Sequence, residues 1–275
     1  MLINKKGTFV ENKSEMKVYF SKYQGTGNDF VMLDNLNSQY DELSISQIQF
    51  LCDRRFGVGG DGLIKINSSL SLDFEVDYYN SDGSKSFCGN GARCAVAFAE
   101  TLGIDVSNTT FTAIDGIHTA SLNQSIVSLK MSDVSNFKKL EKDYVIHTGS
   151  PHYIQFVSDL NSKNIVDFGK EIRYSDRFKN VGINVNLTEV LAKNQLLVLT
   201  YERGVEDETL SCGTGVTACV LAYGIENNLQ GQNTVYVKVK GGDLSVSFNS
   251  KGEGEFDSIY LIGPATFVFK GEINV

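Results

Sequence analysis

Two cysteines, Cys88 and Cys212, stand in nearly matching contexts in opposite halves of the chain. The first opens Cys88-Gly89-Asn90-Gly91-Ala92-Arg93 and the second Cys212-Gly213-Thr214-Gly215-Val216-Thr217. Each follows a polar, turn-rich stretch and precedes small and apolar residues, 95–99 and 218–224, that predict a helix. A helix start leaves backbone N–H groups unpaired and carries partial positive charge. That environment stabilises a thiolate and lowers a cysteine pKa. The glycines let backbone N–H groups come close to an anion such as a carboxylate. Two such starts facing each other would set one sulfur on each side of a carbon next to a carboxylate. One sulfur removes a proton and the other delivers one to the opposite face. The chemistry is racemisation or epimerisation by two bases, and it requires neither metal nor pyridoxal.

Other chemistry-bearing residues are weaker signals. Cys52, Cys94 and Cys219 fall in apolar helical segments, where cysteine is usually a small buried hydrophobe. Cys88 and Cys94 lack CxxC spacing, which speaks against structural zinc. Gly57-x-Gly59-Gly60-x-Gly62 is not the dinucleotide fingerprint, and a strand rather than a helix follows; a structural or substrate-edge loop fits it better. His118 and His147 lie in no motif. His152, in Gly-Ser-Pro-His, either hydrogen-bonds a thiol and helps take its proton or only shapes a turn. Glu202-Arg203-Gly204 closes a strand, where an arginine fork can meet a substrate carboxylate. Asn28, Asn80, Asn90 and Asn184 are each ordinary turn formers. Together with the cysteines they form a neutral polar cage for an amino acid.

The elements that must position these residues are mostly strands. Residues 16–23 alternate like a strand, and a glycine turn and the apolar run 31–33 follow. Residues 44–52 predict an amphipathic helix with Ser44 as N-cap. Strands are expected at 63–66, 74–79, 109–113, 118–122 and 126–131. The second half repeats the order: strand 144–148, turn, strand 154–157, helix 165–173, strand 196–201, then the second cysteine motif. Strands at 234–239, 244–248 and 258–262 follow, and a last one at 263–269. Each half thus holds one central apolar helix that begins at its cysteine. An internal duplication is expected, with the halves facing each other across a cleft. Residues 1–15 are expected to be an extension, a tag remnant or an alternative start ahead of Met16.

Composition sets outer bounds. The 275 residues carry 41% hydrophobic and 21% charged side chains, as ordinary globular proteins do. A net charge of −8 argues against nucleic acid as a partner. No apolar run is long enough to span a membrane, and the first residues lack a signal-peptide core. Five cysteines, an odd number, do not suggest a disulfide framework. A reducing, cytoplasmic setting is expected.

The chain resembles the diaminopimelate epimerase family. The resemblance is carried by Gly25-Thr26-Gly27-Asn28-Asp29-Phe30, Asn80-Ser81-Asp82-Gly83, 88–94, Gly149-Ser150-Pro151-His152, Gly182-Ile183-Asn184, Tyr201-Glu202-Arg203-Gly204, 208–215 and Gly263-Pro264-Ala265. These run in order from about residue 17 to the end. The resemblance implies an α/β (α+β) fold of two pseudo-symmetric domains, each a set of strands around a central helix, with the site between them. The domains would be 16–134 plus 264–275, the terminal strand returning to the first, and 135–263. It implies conversion of LL- to meso-2,6-diaminopimelate without cofactor or metal, a small amino-acid substrate, and a homodimer. Cys88 and Cys212 become the acid–base pair, with His152 and Glu202 tuning the thiols. Asn28, Asn80, Asn184, Glu202 and Arg203 would line the substrate. The backbone at Gly89-Asn90 and Gly213-Thr214 would hold its carboxylate. The chain departs from the family at Ser150, where asparagine is common, and at Gly62, where glutamine is common. The Asn80–Cys88 loop is one residue shorter than usual and the Glu202–Cys212 loop one longer. A proline- or hydroxyproline-type racemase with the same thiols, and a non-catalytic amino-acid-binding protein, are the alternatives.

Overall fold

Four helices punctuate a strand-rich chain in the computed structural model, which describes residues 16–275. The expected extension at 1–15 lies outside the described residues. Helix α1 (Ile45–Cys52) starts as expected at Ser44. The Ser44 hydroxyl accepts the Gln47 N–H, and the Gln47 side chain accepts the Ser44 N–H, a closed capping box. Helices α2 (Gly89–Thr101), α3 (Ile165–Arg173) and α4 (Gly213–Glu226) follow. Asn164 caps α3 through its side chain.

The strand pairings reveal the duplication. In the first half, Asn28–Asn35 pairs parallel with Gly62–Asn67 across α1, and Gly62–Asn67 pairs antiparallel with Phe74–Asn80. Phe74–Asn80 then pairs parallel with Thr109–Ala113 across α2. Two antiparallel steps, through Gly116–Asn123 to Ile126–Lys130, complete the unit. The second half repeats every step. Pro151–Val157 pairs parallel with Asn184–Ala192 across α3, which pairs antiparallel with Gln195–Glu202. That strand pairs parallel with Gly231–Val239 across α4, and two antiparallel steps end at Glu255–Pro264. The two units join where Glu255–Pro264 pairs with Ile126–Lys130. Two α+β units, each winding its strands around one helix, are therefore the architecture.

Three strands escaped the sequence pattern, the long one at Asn184–Ala192 and two short ones. Phe137–Leu140 pairs with Asp143–His147, and Asp207–Thr209 pairs with Gln195–Glu202. The residues of the two short ones are mostly charged, so no alternation marks them. The expected terminal strand at 263–269 is two strands, Glu255–Pro264 and Thr266–Asn274, broken at Ala265. Pro264 cannot donate to a ladder, and the chain leaves the second half there. It returns to pair with Lys17–Gly25 of the first half.

The central helices are buried all round. In α2 every residue from Gly89 to Ala99 is buried, and in α4 nearly all from Gly213 to Gly224. A helix sheathed on all sides must be apolar and narrow. This explains the alanines and glycines: a Cβ at Gly91 would already press on Ile64 at 3.1 Å. Cys94 and Cys219 lie fully buried in these helices and Cys52 nearly so in α1, as small hydrophobes. Burial pushes all three thiols up to about 12, which keeps them protonated and unreactive at neutral pH. One core spans both central helices, and smaller clusters lie beneath α1 and α3.

Candidate active site

Cys88 and Cys212 are the N-caps of α2 and α4, in nearly the same backbone conformation (φ −135°, ψ 118° and φ −125°, ψ 107°). Neither sulfur caps its own helix. Both sulfurs are therefore free for other work. The N–H groups of Gly91 and Asn90 point at the Cys88 sulfur, and that of Gly215 at the Cys212 sulfur. The two starts are close neighbours. Asn90 Nδ2 donates to the Ser211 carbonyl at 3.1 Å, and one Leu261 methyl would lie 3.6 Å from a Cβ at Gly89 and 2.7 Å from one at Gly213.

The first half supplies one wall. The Cys88 thiol donates to Asn28 Oδ1 at 3.4 Å, and Asn90 Nδ2 donates to the same oxygen at 3.3 Å. The Asn28 amide donates from its other side to Asp61, which also pairs with Arg54. Asp61 thus fixes which way the Asn28 amide points, and it comes from the glycine loop that the sequence suggested as a substrate edge. Asn80 ends the strand Phe74–Asn80 ahead of the loop to Cys88. Its Nδ2 donates to the carbonyl and hydroxyl of Ser84, and its Oδ1 accepts from Tyr78. With donor and acceptor both engaged, Asn80 anchors the loop that leads to Cys88. At Gly62 a Cβ would stand 2.4 Å from the Tyr79 carbonyl and the Tyr78 ring, so the Tyr78 ring occupies the space a side chain would need.

The second half supplies a relay. Asn186 Nδ2 donates to His152 Nδ1 at 3.1 Å; its orientation is fixed because its Oδ1 accepts from Thr200. The His152 proton therefore sits on Nε2 and is donated to Thr214 Oγ1, 2.9 Å away. Thr214 then turns its own hydroxyl hydrogen to the Cys212 sulfur at 3.5 Å. His152 reaches the thiol only through Thr214. Burial holds its pKa down to about 3, so the ring is neutral at neutral pH. Asn184 donates to Ser150 Oγ at 2.8 Å and accepts the Arg203 N–H at 2.8 Å. The Ser150 hydroxyl thus takes part in the cage through Asn184.

A cavity of about 740 Å³ opens over these groups, with Cys212, Thr214, Asn184, Ser150, Glu202 and Arg203 on its wall. Phe87, the residue before Cys88, lines it too and stacks flat on His118 (ring centres 4.2 Å, planes 2° apart). His118 in turn pairs with Asp115 at 2.8 Å. Nothing in the sequence marked His118, because only the strand pairing brings it beside Phe87. Among the described residues no cluster of three or more His, Cys, Asp or Glu side chains is arranged to hold a metal ion.

The helix starts alone would lower both thiol pKa values, yet both are raised. Burial is the largest cause for each and the Glu202 carboxylate adds to it, and Cys212 is pushed up to about 12. Glu202 is itself raised, chiefly by burial. A negative neighbour disfavours a thiolate, so removing its charge must favour one. Glu202→Gln is therefore expected to shift the pH dependence of thiol alkylation to lower pH, by up to about one unit. Iodoacetamide rates measured without substrate give this directly, and an unmoved profile would show that Glu202 does not act through its charge.

The same fold is found in solved structures of low identity. The Bacillus anthracis phenazine biosynthesis protein of the PhzF family superposes with TM-score 0.73 at 16% identity, over 94% of this chain and 100% of that one. A hydroxyproline epimerase from Agrobacterium vitis, with bound trans-4-hydroxy-L-proline, gives 0.65 at 12%, over 94% and 93%. These likenesses define the chain's fold class, two α+β units each wound around a central helix. The family model described as diaminopimelate epimerase matches residues 20–126 and 144–268. Curated diaminopimelate epimerases are similar nearly end to end: that of Flavobacterium psychrophilum is 47% identical over 94% of this chain and all of its own length. That of Chlorobaculum tepidum is 38% identical over 91% and 99%. The chain belongs to the diaminopimelate epimerase family, and its reaction is the interconversion of LL- and meso-2,6-diaminopimelate, a small-molecule amino-acid substrate of lysine biosynthesis. The proline-type racemases are only distant structural relatives.

Proposed function

We propose that Cys88 and Cys212 carry out this epimerisation as an acid–base pair acting on opposite faces of one α-carbon. The observation that carries the reading is their matched placement as N-caps of two tied helices, with neither sulfur used for capping. One sulfur, as thiolate, takes the α-proton and becomes a thiol. The electron pair left on carbon spreads into the α-carboxylate, whose oxygens face the N–H groups at Gly89-Asn90 and Gly213-Thr214. Those groups are already aligned at two positive helix ends and stabilise the developing charge. The opposite thiol returns a proton to the other face and is left as thiolate, so the pair exchanges charge in each turnover and titrates as one unit.

Asn28 and Asn184 hold the substrate's polar groups, and Glu202 and Arg203 meet its distal ammonium and carboxylate. Asn80 serves by shaping the loop ahead of Cys88. Asn90 Oδ1 is buried without a partner among the described residues, an acceptor available to a bound amino group. The two halves, 16–134 with 264–275 and 135–263, act as domains that close over the substrate. The enzyme works as a homodimer in the cytoplasm. Support for the dimer comes from strand Thr266–Asn274, which pairs with Lys17–Gly25 and leaves Phe267, Val268 and Phe269 about half exposed. No helix among the described residues is long and apolar enough to cross a membrane.

Turnover of LL-diaminopimelate in heavy water tests the chemistry. Product epimer is expected to carry deuterium at the inverted α-carbon, because the donating thiol exchanges with solvent. Product formed with its original hydrogen throughout would rule out proton delivery from a second group.

A further inference from the structure

Three costly features meet at one point between the cysteine helices. The first is Arg93 of α2, fully buried, with no carboxylate at ion-pair distance among the described residues. Its Nη1 is buried without a partner among the described residues, its Nε donates to the Pro264 carbonyl at 3.4 Å, and its Nη2 donates to Thr26 Oγ1 at 3.1 Å. A buried guanidinium without a counter-charge is expensive. The second is Thr26 itself, a β-branched residue held at φ +50°, where such side chains are strained. The third is close packing that only glycine permits. A Cβ at Gly241 would stand 1.8 Å from the Thr26 carbonyl, and one at Gly25 would stand 3.2 Å from Arg93 Nη2.

What these costs achieve is a join. The Thr26 hydroxyl donates onward to Ser211 Oγ at 2.8 Å, and Ser211 immediately precedes Cys212. Asn90 of α2 holds the Ser211 carbonyl. Ser211 is thus gripped from the Cys88 side at both its side chain and its backbone. The strained turn is what puts one hydroxyl between a donor on α2 and an acceptor in the loop entering α4.

We infer that Thr26 and Arg93 are positioning residues: they clamp Ser211 to the helix that Cys88 opens and so set where the second sulfur stands relative to the first. The inference rests on the reading of Cys88 and Cys212 as the acid–base pair. Neither Thr26 nor Arg93 is required to touch substrate. Arginine suits the place because its fork reaches Pro264 and Thr26 at once, which a lysine cannot do.

Thr26→Val keeps the branched shape and removes the hydroxyl, and Ser211→Ala removes the other end. With fold retained by circular dichroism, each is expected to lower kcat about ten- to hundredfold with KM within about twofold, as small misplacements of reacting groups do. Each is also expected to slow closure of a Cys88–Cys212 disulfide under a fixed diamide concentration without substrate, a readout that general destabilisation would not slow. The double variant should be no worse than the poorer single one, because both cut the same link. Arg93→Lys, if it folds, should behave like them despite keeping its charge. Wild-type kcat and wild-type disulfide closure in both Thr26→Val and Ser211→Ala would overturn the clamp. If Cys88→Ala or Cys212→Ala kept turnover, the acid–base reading would fall instead, so the two failures are distinguishable.

Discussion

Replacing either Cys88 or Cys212 by alanine lowers turnover of diaminopimelate by at least about 10³-fold, the scale of losing a positioned acid or base. The loss is expected in both directions of the reaction, since in the proposed mechanism each sulfur serves as base for one epimer and acid for the other. The fold should survive. Neither sulfur caps its helix, and among the described residues the Cys88 side chain's one hydrogen bond to another side chain is to Asn28. Initial rates from each epimer, with circular dichroism of the variants, check this. A variant that stayed folded and within tenfold of wild type would remove its cysteine from the mechanism.

Oxidation should be as complete as mutation, and reversible. Of the five thiols, Cys52, Cys94 and Cys219 are sealed in the core, whereas Cys88 is partly accessible and Cys212 lines the cavity. If both sulfurs address one carbon, closing the empty site can bring them within disulfide reach, where Cα atoms stand about 4.4–6.8 Å apart. Diamide is then expected to consume two thiols per chain while activity falls in proportion, and dithiothreitol to restore both. Bound substrate should protect, because it occupies the space between the sulfurs. Full activity after mass spectrometry has shown both thiols oxidised would exclude them from catalysis.

What was legible in the sequence is what local rules control. Ser44 with Gln47 marked the start of α1, and the Cys-Gly-x-Gly runs ahead of small residues marked two buried helices. Cys94 and Cys219 read correctly as packing because they sit in runs of small and mostly apolar residues. The pKa direction of the reactive thiols did not follow from local rules. A helix start argues for lowering, but burial between two halves outweighs it, and burial is a property of the assembled fold. The role of His152 was open for a similar reason. Asn186, thirty-four residues away, decides its tautomer, and Thr214 stands between it and the sulfur. Asn80 reads as a cage member by type, and its hydrogen bonds with Ser84 and Tyr78, a few residues away, are not legible from type alone. Thr26 and Ser211 are 185 residues apart; no pattern along the chain connects them.

The return of the last strand has a consequence for how the enzyme is made. Lys17–Gly25 is among the first described segments to leave the ribosome, and its partner Thr266–Asn274 is the last. Met16 and Val275 even exchange two backbone hydrogen bonds, at 3.0 and 2.9 Å. Throughout synthesis the first half carries an open sheet edge, while the second half, whose strands lie together in the chain, already has what it needs to fold. Arg93 also waits, since the Pro264 carbonyl that receives its Nε ends the strand just ahead of that segment. The two cysteine helices can therefore be complete as helices well before their sulfurs are in register. Activity is expected only once Thr266–Asn274 has been made and paired, and a chain stalled or clipped ahead of that strand would hold the thiols without the reaction.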